Sequence, residues 1–336
     1  MTCQREMAIV RYRKYLFLLT IFYKRLIMKR LLLCVPVMVV ALLTGCASTQ
    51  SGGLSGVIAP DAKVQLVQEG FIFTEGPLGM PDGGLYFADL QKAQRIFRMM
   101  ADGAISVFRE KSNNTNGLAY TPKGELIGVE SLGRRIVRIG ADGSYAELTR
   151  GTGATPLMLP NDLLADAKGG IYFTDPGSRP ITPGRKHHVY YLPPGATNAM
   201  IVDDNQTRPN GLTLTLDGKL LLIADTVEHV LHAWDVQADG TLRNRRPFLR
   251  LQGIAAGEDS GGDGMAIDRD GRFYVTSVTG VQVFAASGAY LGTIEVPKRP
   301  SNVAFAGPGK RVLYITAREG LYRISTLTAR PLRLGK

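Results

Sequence analysis

Arg208-Pro209-Asn210-Gly211-Leu212-Thr213-Leu214-Thr215-Leu216-Asp217-Gly218-Lys219-Leu220-Leu221-Leu222-Ile223-Ala224-Asp225 runs from a polar residue through an alternating stretch and a glycine turn into a second apolar run. Period-two alternation marks a strand, and Asp-Gly before a new apolar run marks an antiparallel return. The same order recurs along the chain. Asn210 stands ten residues before Leu220, and Glu75, Asn116, Asn161, Asp263 and Asn302 stand ten residues before Leu85, Leu126, Ile171, Phe273 and Val312. Gly83, Gly124, Gly169, Gly218 and Gly271 follow five of the six by eight residues. The units begin 41, 45, 49, 53 and 39 residues apart, the spacing of four-stranded propeller blades. The expected fold is all-β, a six-bladed β-propeller with a central metal site. Rotation about one axis would bring six oxygen-bearing side chains to one channel.

A propeller must close, because an open ring leaves an unpaired edge. The strand at 64–67 is therefore expected to pair with the last blade near 321–324. The chain divides into a leader (1–45), a flexible tether (46–60) and the propeller (61–336). Within the leader, Met28-Lys29-Arg30 gives a basic start, 31–43 is apolar, and Leu43-Thr44-Gly45-Cys46 follows. That order reads as a signal peptide starting at Met28 with a lipobox ending at Cys46, the lipidated residue. Thirteen apolar residues are short of the roughly 20 that span a bilayer. The expected location is the cell envelope of a bacterium, on an outer-membrane lipoprotein facing the periplasm, with membrane contact only through Cys46. Residues 1–27 read as an extension ahead of the true start.

Charge excludes one class. The formal net charge of +11 divides into +7 for residues 1–45, from eight Lys/Arg and Glu6, and +4 for the remainder, from 32 bases and 28 acids. A mildly basic body without a basic stripe is not a nucleic-acid binder. Cys3 and Cys34 lie in the leader, leaving Cys46 alone, so neither a disulfide framework nor a thiolate site is expected. A monomer is expected.

The six recurrent residues offer oxygen donors only, and no histidine or cysteine holds an equivalent position. Oxygen donors favour a hard cation, so the expected cofactor is a divalent ion, Ca²⁺ first, with Mg²⁺, Zn²⁺ or Mn²⁺ as alternatives. Gly76, Gly117, Gly211 and Gly264 directly follow ring members and would let backbones crowd near the axis. Asp89, Asp175 and Asp225, with Glu130 in the matching place, end the second strands and read as turn and strand caps. The uneven segments 151–160, 177–188 and 254–262 are the loops from which a substrate pocket would be built.

Phe73-Thr74-Glu75-Gly76-Pro77, Leu159-Pro160-Asn161-Asp162-Leu163, Ile171-Tyr172-Phe173-Thr174-Asp175-Pro176, Arg208-Pro209-Asn210-Gly211-Leu212 and Gly262-Asp263-Gly264-Met265 resemble the gluconolactonase and senescence-marker-protein (regucalcin) family in motif and in order. The resemblance runs from about 65 to 325. It implies a six-bladed propeller holding one divalent ion, with Glu75, Asn210 and Asp263 as ligands, Asn161 touching metal or substrate, and Asp263 as the catalytic carboxylate. Asn116 and Asn302, with Asn161, are expected to line the substrate channel. Where one branch of that family has Cys-Glu-His, this chain has Val129-Glu130-Ser131, which removes any substrate contact made there. The implied activity is metal-dependent hydrolysis of a sugar lactone, with Asp263 as general base or as nucleophile. A phosphotriesterase-like hydrolase on the same site and a non-catalytic tethered propeller with a structural ion are the alternatives.

Overall fold

The computed structural model describes residues 53–332. Cys46, the leader and the start of the tether lie outside them. Six four-stranded antiparallel sheets account for every strand, and no α-helix occurs among the described residues. Blade I comprises Thr74–Gly79, Leu85–Asp89, Arg95–Met99 and Ile105–Arg109. Blade II is Thr115–Tyr120, Leu126–Glu130, Arg135–Ile139 and Tyr145–Thr149. Blade III follows as Leu163–Ala165, Ile171–Asp175, His188–Leu192 and Met200–Asp203. Blade IV is Pro209–Leu214, Leu220–Asp225, Val230–Val236 and Leu242–Arg250. Met265–Ile267, Phe273–Ser277, Gly280–Phe284 and Tyr290–Ile294 form blade V.

Blade VI closes the ring as expected. Its inner three strands, Asn302–Ala306, Val312–Ala317 and Gly320–Ser325, come from the end of the chain. Its outer strand is Gln65–Glu69, paired antiparallel with Gln65 opposite Arg323 and Glu69 opposite Gly320. Side chains fasten the same seam: Thr74 Oγ1 donates to the Gly320 carbonyl at 2.8 Å, and Ser301 Oγ donates to the Thr74 carbonyl at 2.8 Å.

The core is divided among the blade interfaces. Blades I and II pack through Leu78, Ile96, Leu118 and Val137; II and III through Ile127, Ile136, Leu163 and Phe173; III and IV through Tyr172, Tyr191, Leu212 and Trp234. Blades IV and V, V and VI, and VI and I repeat the scheme with Leu222 on Phe273, Tyr274 on Phe305, and Phe87 near Tyr314. A second strand such as Phe273–Ser277 is buried at every position, because each blade is covered on both faces. Strict in-out alternation is therefore lost there, and exposure returns farther out, most of all at outer strands such as Tyr145–Thr149.

One boundary differs from expectation. Residues 54–60 were expected to belong to the flexible tether, yet Val57 is fully buried and packs with Leu54 and Ile58 on the blade V–VI interface. The Leu327 N–H also donates to the Val57 carbonyl at 2.8 Å. Leu54, Val57 and Ile58 supply apolar surface that a small polar tether lacks, and their burial overrides the local Gly and Ser content.

Candidate active site

Glu75, Asn116, Asn161, Asn210 and Asp263 line one cavity of about 340 Å³. Five of the six recurrent residues thus meet, and strand register explains how. In blades I, II and IV the pairing of inner and second strands slips between Glu75 and Leu78, Thr115 and Leu118, and Pro209 and Leu212. A bulge leaves residues unpaired and re-aims side chains: Asn116 and Asn210 fall within their slips, while Glu75, opposite Ala88, is the last paired residue before its own. In blades III and V the inner strand begins only at Leu163 and Met265, which leaves Asn161 and Asp263 just ahead of it.

Blade VI has no slip. Asn302 pairs regularly with Thr316 and is not among the residues lining the cavity. Its Oδ1 accepts the Val303 N–H at 2.9 Å and its Nδ2 donates to Glu75 Oε2 at 3.1 Å. Expected to contact substrate, Asn302 instead holds Glu75, because an unbulged ladder keeps its amide against the neighbouring strand.

The glycines after ring members meet the requirement read from the sequence. A Cβ on Gly76, whose φ is +51°, would lie 1.8 Å from the Asn116 carbonyl oxygen. A Cβ on Gly211 would lie 2.3 Å from the Asp263 carbonyl oxygen, and one on Gly264 would lie 1.9 Å from the Asn302 side chain. The starts of blades I, II, IV and V thus touch the next blade start through a glycine, so these ring members stand close together.

Second-strand carboxylates aim three of them. Asp175 accepts the N–H groups of Met158 and Leu159 at 2.6 and 2.8 Å, just ahead of Asn161. Asp89 accepts those of Ile72 and Phe73 at 2.9 and 2.8 Å, ahead of Glu75. Asp225 accepts the Arg208 N–H at 2.8 Å, ahead of Asn210. Burial raises the Asp175 pKa above the usual carboxylate range, with the backbone N–H bonds opposing that shift. In blade II, Glu130 takes this place, fully buried between Arg109 at 2.6 Å and Arg135 at 2.7 Å. The capping reading holds for the three aspartates, whereas Glu130 bonds only side chains, those of Arg109, Arg135 and Asn113.

The donor set suits a hard cation. Asn210 Nδ2 donates to Thr226 Oγ1 at 3.0 Å, which fixes the amide so that Oδ1 faces away from that bond. Asn210 Oδ1 and Asn116 Oδ1 are both buried and have no hydrogen-bond partner among the described residues. Buried acceptors without donors are costly, and an electropositive ion beside them removes the cost. No trio of His, Cys, Asp or Glu gathers among the described residues, so the fit rests on two carboxylates with amide oxygens. That set matches Ca²⁺ better than thiophilic metals.

Sequence reasoning missed four residues. Arg179, Arg208, Arg299 and Arg318 line the same cavity. Desolvation, then the nearby Arg179 charge, lowers the Arg208 pKa from the usual arginine value. The signal was present: Arg208-Pro209 and Arg299-Pro300 lead into Asn210 and Asn302. The histidines contribute nothing to the cavity. His187, buried, places Nδ1 2.6 Å from the Thr207 carbonyl oxygen, and His188 lies in a blade III strand. Among the uneven loops, 177–188 reaches the cavity through Arg179.

A family model described as the SMP-30/Gluconolactonase/LRE-like region matches residues 73–319, and the chain belongs to that family. The gluconolactonase of Zymomonas mobilis subsp. mobilis is 24% identical over 306 residues, 82% of this chain and 84% of its own length. A gluconolactonase structure from Xanthomonas campestris superposes with a TM-score of 0.72 at 29% identity, over 81% of this chain and 92% of its own. Regucalcin from Agrobacterium tumefaciens str. C58, a calcium-binding protein, shares the fold with a TM-score of 0.69 at 18% identity, over 80% and 95% of the two chains.

Proposed function

We propose that this protein is a metal-dependent lactonase that opens a sugar lactone of the gluconolactone kind to its hydroxy acid. The carrying observation is the convergence of Glu75, Asn161, Asn210 and Asp263 on one cavity, in a chain of the gluconolactonase family. These four residues would hold the ion. A divalent cation there, Ca²⁺ first, supplies a Lewis acid that stabilises negative charge on a carbonyl oxygen. Asn302 and the Gly76 N–H, at 3.1 and 3.0 Å from Glu75 Oε2, fix the Glu75 carboxylate. Asp263 takes the proton from the attacking water, or attacks the carbonyl carbon itself. Asn116 and Asn161 orient the substrate hydroxyls.

The test uses the full chain purified in detergent. It is expected to hydrolyse gluconolactone with added Ca²⁺, to stop with chelator, and to lose at least about 100-fold in kcat as Asp263→Asn, the scale of general-base catalysis. Full activity in Asp263→Asn removes that residue from the mechanism. Hydrolysis of fluorophosphates without lactones replaces the reading with the phosphotriesterase one, and no turnover of either leaves a binding propeller. The proposal extends to Cys46 as the lipidated residue of a monomeric envelope protein. Radiolabelled palmitate entering the parent chain but not Cys46→Ser tests it, and equal labelling of both overturns it.

A further inference from the structure

The cavity carries more positive charge than lactone opening uses. Arg179, Arg208, Arg299 and Arg318 line it alongside only two carboxylates, Glu75 and Asp263. Arg208 feels the Arg179 charge, and Arg299 feels those of Arg318 and Arg179, so the four repel one another. Elsewhere the exposed arginines Arg95, Arg138 and Arg246 each meet a carboxylate, at 2.9, 2.8 and 2.8 Å. At this mouth Arg179 reaches Asp259 at 3.4 Å, and the Asp263 carboxylate attracts both Arg208 and Arg299. Arg208 Nη1 is buried with no hydrogen-bond partner among the described residues, although a buried guanidinium N–H normally has an acceptor. The Arg318 guanidinium stacks over the Phe73 ring at 5.5 Å, which holds it at the cavity. Guanidinium groups remain charged and bind carboxylate or phosphate through paired N–H donors.

We propose that the substrate carries an anionic group remote from its lactone carbonyl, a carboxylate or a phosphate, and that Arg208 and Arg299, flanked by Arg179 and Arg318, form the subsite that receives it. This deepens the lactonase reading and rests on it for the word lactone. The arginines enter from the blade III loop, blade IV, the link between blades V and VI, and blade VI. Blade I and its flanks contribute Glu75, Phe73 and Leu90.

The test compares kcat/KM of the full chain in Ca²⁺ buffer for gluconolactone, which is neutral, glucarolactone, which bears a carboxylate, and phosphogluconolactone. At least one anionic lactone is expected to exceed gluconolactone by about tenfold, equivalent to about 1.4 kcal/mol. That ratio is expected to fall to about one in Arg299→Gln and Arg208→Gln, to recover in part in Arg299→Lys, and to shrink with added salt. Whichever anionic lactone leads identifies the source of the charge. A ratio of one or less in the parent chain, or a ratio unmoved in Arg299→Gln, overturns the proposal while leaving the lactonase reading intact. If no lactone turns over, that reading fails, and calorimetry with glucarate and phosphogluconate decides the subsite. Binding that weakens in Arg299→Gln, an exposed side chain whose loss spares the fold, sustains it. Absence of binding by both anions overturns it.

Discussion

Replacing Asp175 with alanine tests whether second-strand carboxylates aim the site. Asp175 is fully buried and accepts two short backbone N–H bonds, from Met158 and Leu159, with a longer one from Gly177 at 3.4 Å. A hydrogen bond to a charged group contributes about 1.5–3 kcal/mol, so the two short bonds represent about 3–6 kcal/mol. Removing a carboxylate whose burial already disfavours its charge returns part of that. The net expectation is a loss of about 2–4 kcal/mol, or about 4–10 °C in Tm for a domain of this size. Asp239→Ala is the comparison, because Asp239 makes a similar pair of bonds to Thr241 on an exposed turn. Thermal unfolding followed by circular dichroism is expected to separate the two clearly, with Asp239→Ala close to the parent. Calorimetric Ca²⁺ titration of the same proteins is expected to show at least about tenfold weaker binding for Asp175→Ala, since a donor strand freed by two bonds no longer aims Asn161. Equal melting temperatures for the two variants would refute the clamp. A destabilised Asp175→Ala with parental Ca²⁺ affinity would keep the clamp and refute its link to Asn161.

Three further outcomes follow from the packing. Gly76→Ala places a Cβ 1.8 Å from the Asn116 carbonyl oxygen at a φ of +51°, and is expected to cost more than about 3 kcal/mol; soluble yield and a melt compared with Gly103→Ala, which meets nothing within 4 Å, check it. Deleting residues 65–69 strips the outer strand from blade VI, and is expected to abolish the cooperative transition, which a calorimetric scan reads. His188 has its pKa lowered from 6.5 chiefly by burial, so the unfolded chain binds its proton first. Its contribution is complete above pH 6.5 and is lost as pH falls through the lower folded value. His188→Gln is therefore expected to flatten the loss of stability below pH 6.5 in urea titrations, leaving the part due to His232, which burial also lowers.

The repeat was legible because a blade must rebuild the same junction each time. The ten-residue count from ring residue to second strand is kept in all six blades, with one tight turn between, although the inner strand itself runs from three to six residues. The closing strand was legible for the same reason: an unpaired edge at Gly320–Ser325 had to find a partner, and Gln65–Glu69 was the remaining candidate. Two things were hidden. Residues 54–60 look like tether locally, and only the apolar surface at the blade V–VI interface gives Val57 a place to bury. The arginines sit at irregular positions on loops of different length, so no period connects Arg179 with Arg318. Only the chain's return to one mouth brings them together.

The departure of Asn302 from the ring shows how a sixfold sequence pattern becomes an asymmetric site. All six blades present an oxygen-bearing residue at the same count from the second strand, but the count does not say whether the residue leaves the ladder. In blades II and IV a bulge releases it; in blade I it is the last paired residue before a bulge; in blades III and V the strand has not yet begun; in blade VI pairing is continuous. Asn302, with no bulge beside it, spends both amide ends on Val303 and Glu75. The chain thereby turns one potential donor into the support of another. The Glu75 carboxylate, which lines the cavity, accepts from that neutral amide at 3.1 Å and from the Gly76 N–H at 3.0 Å.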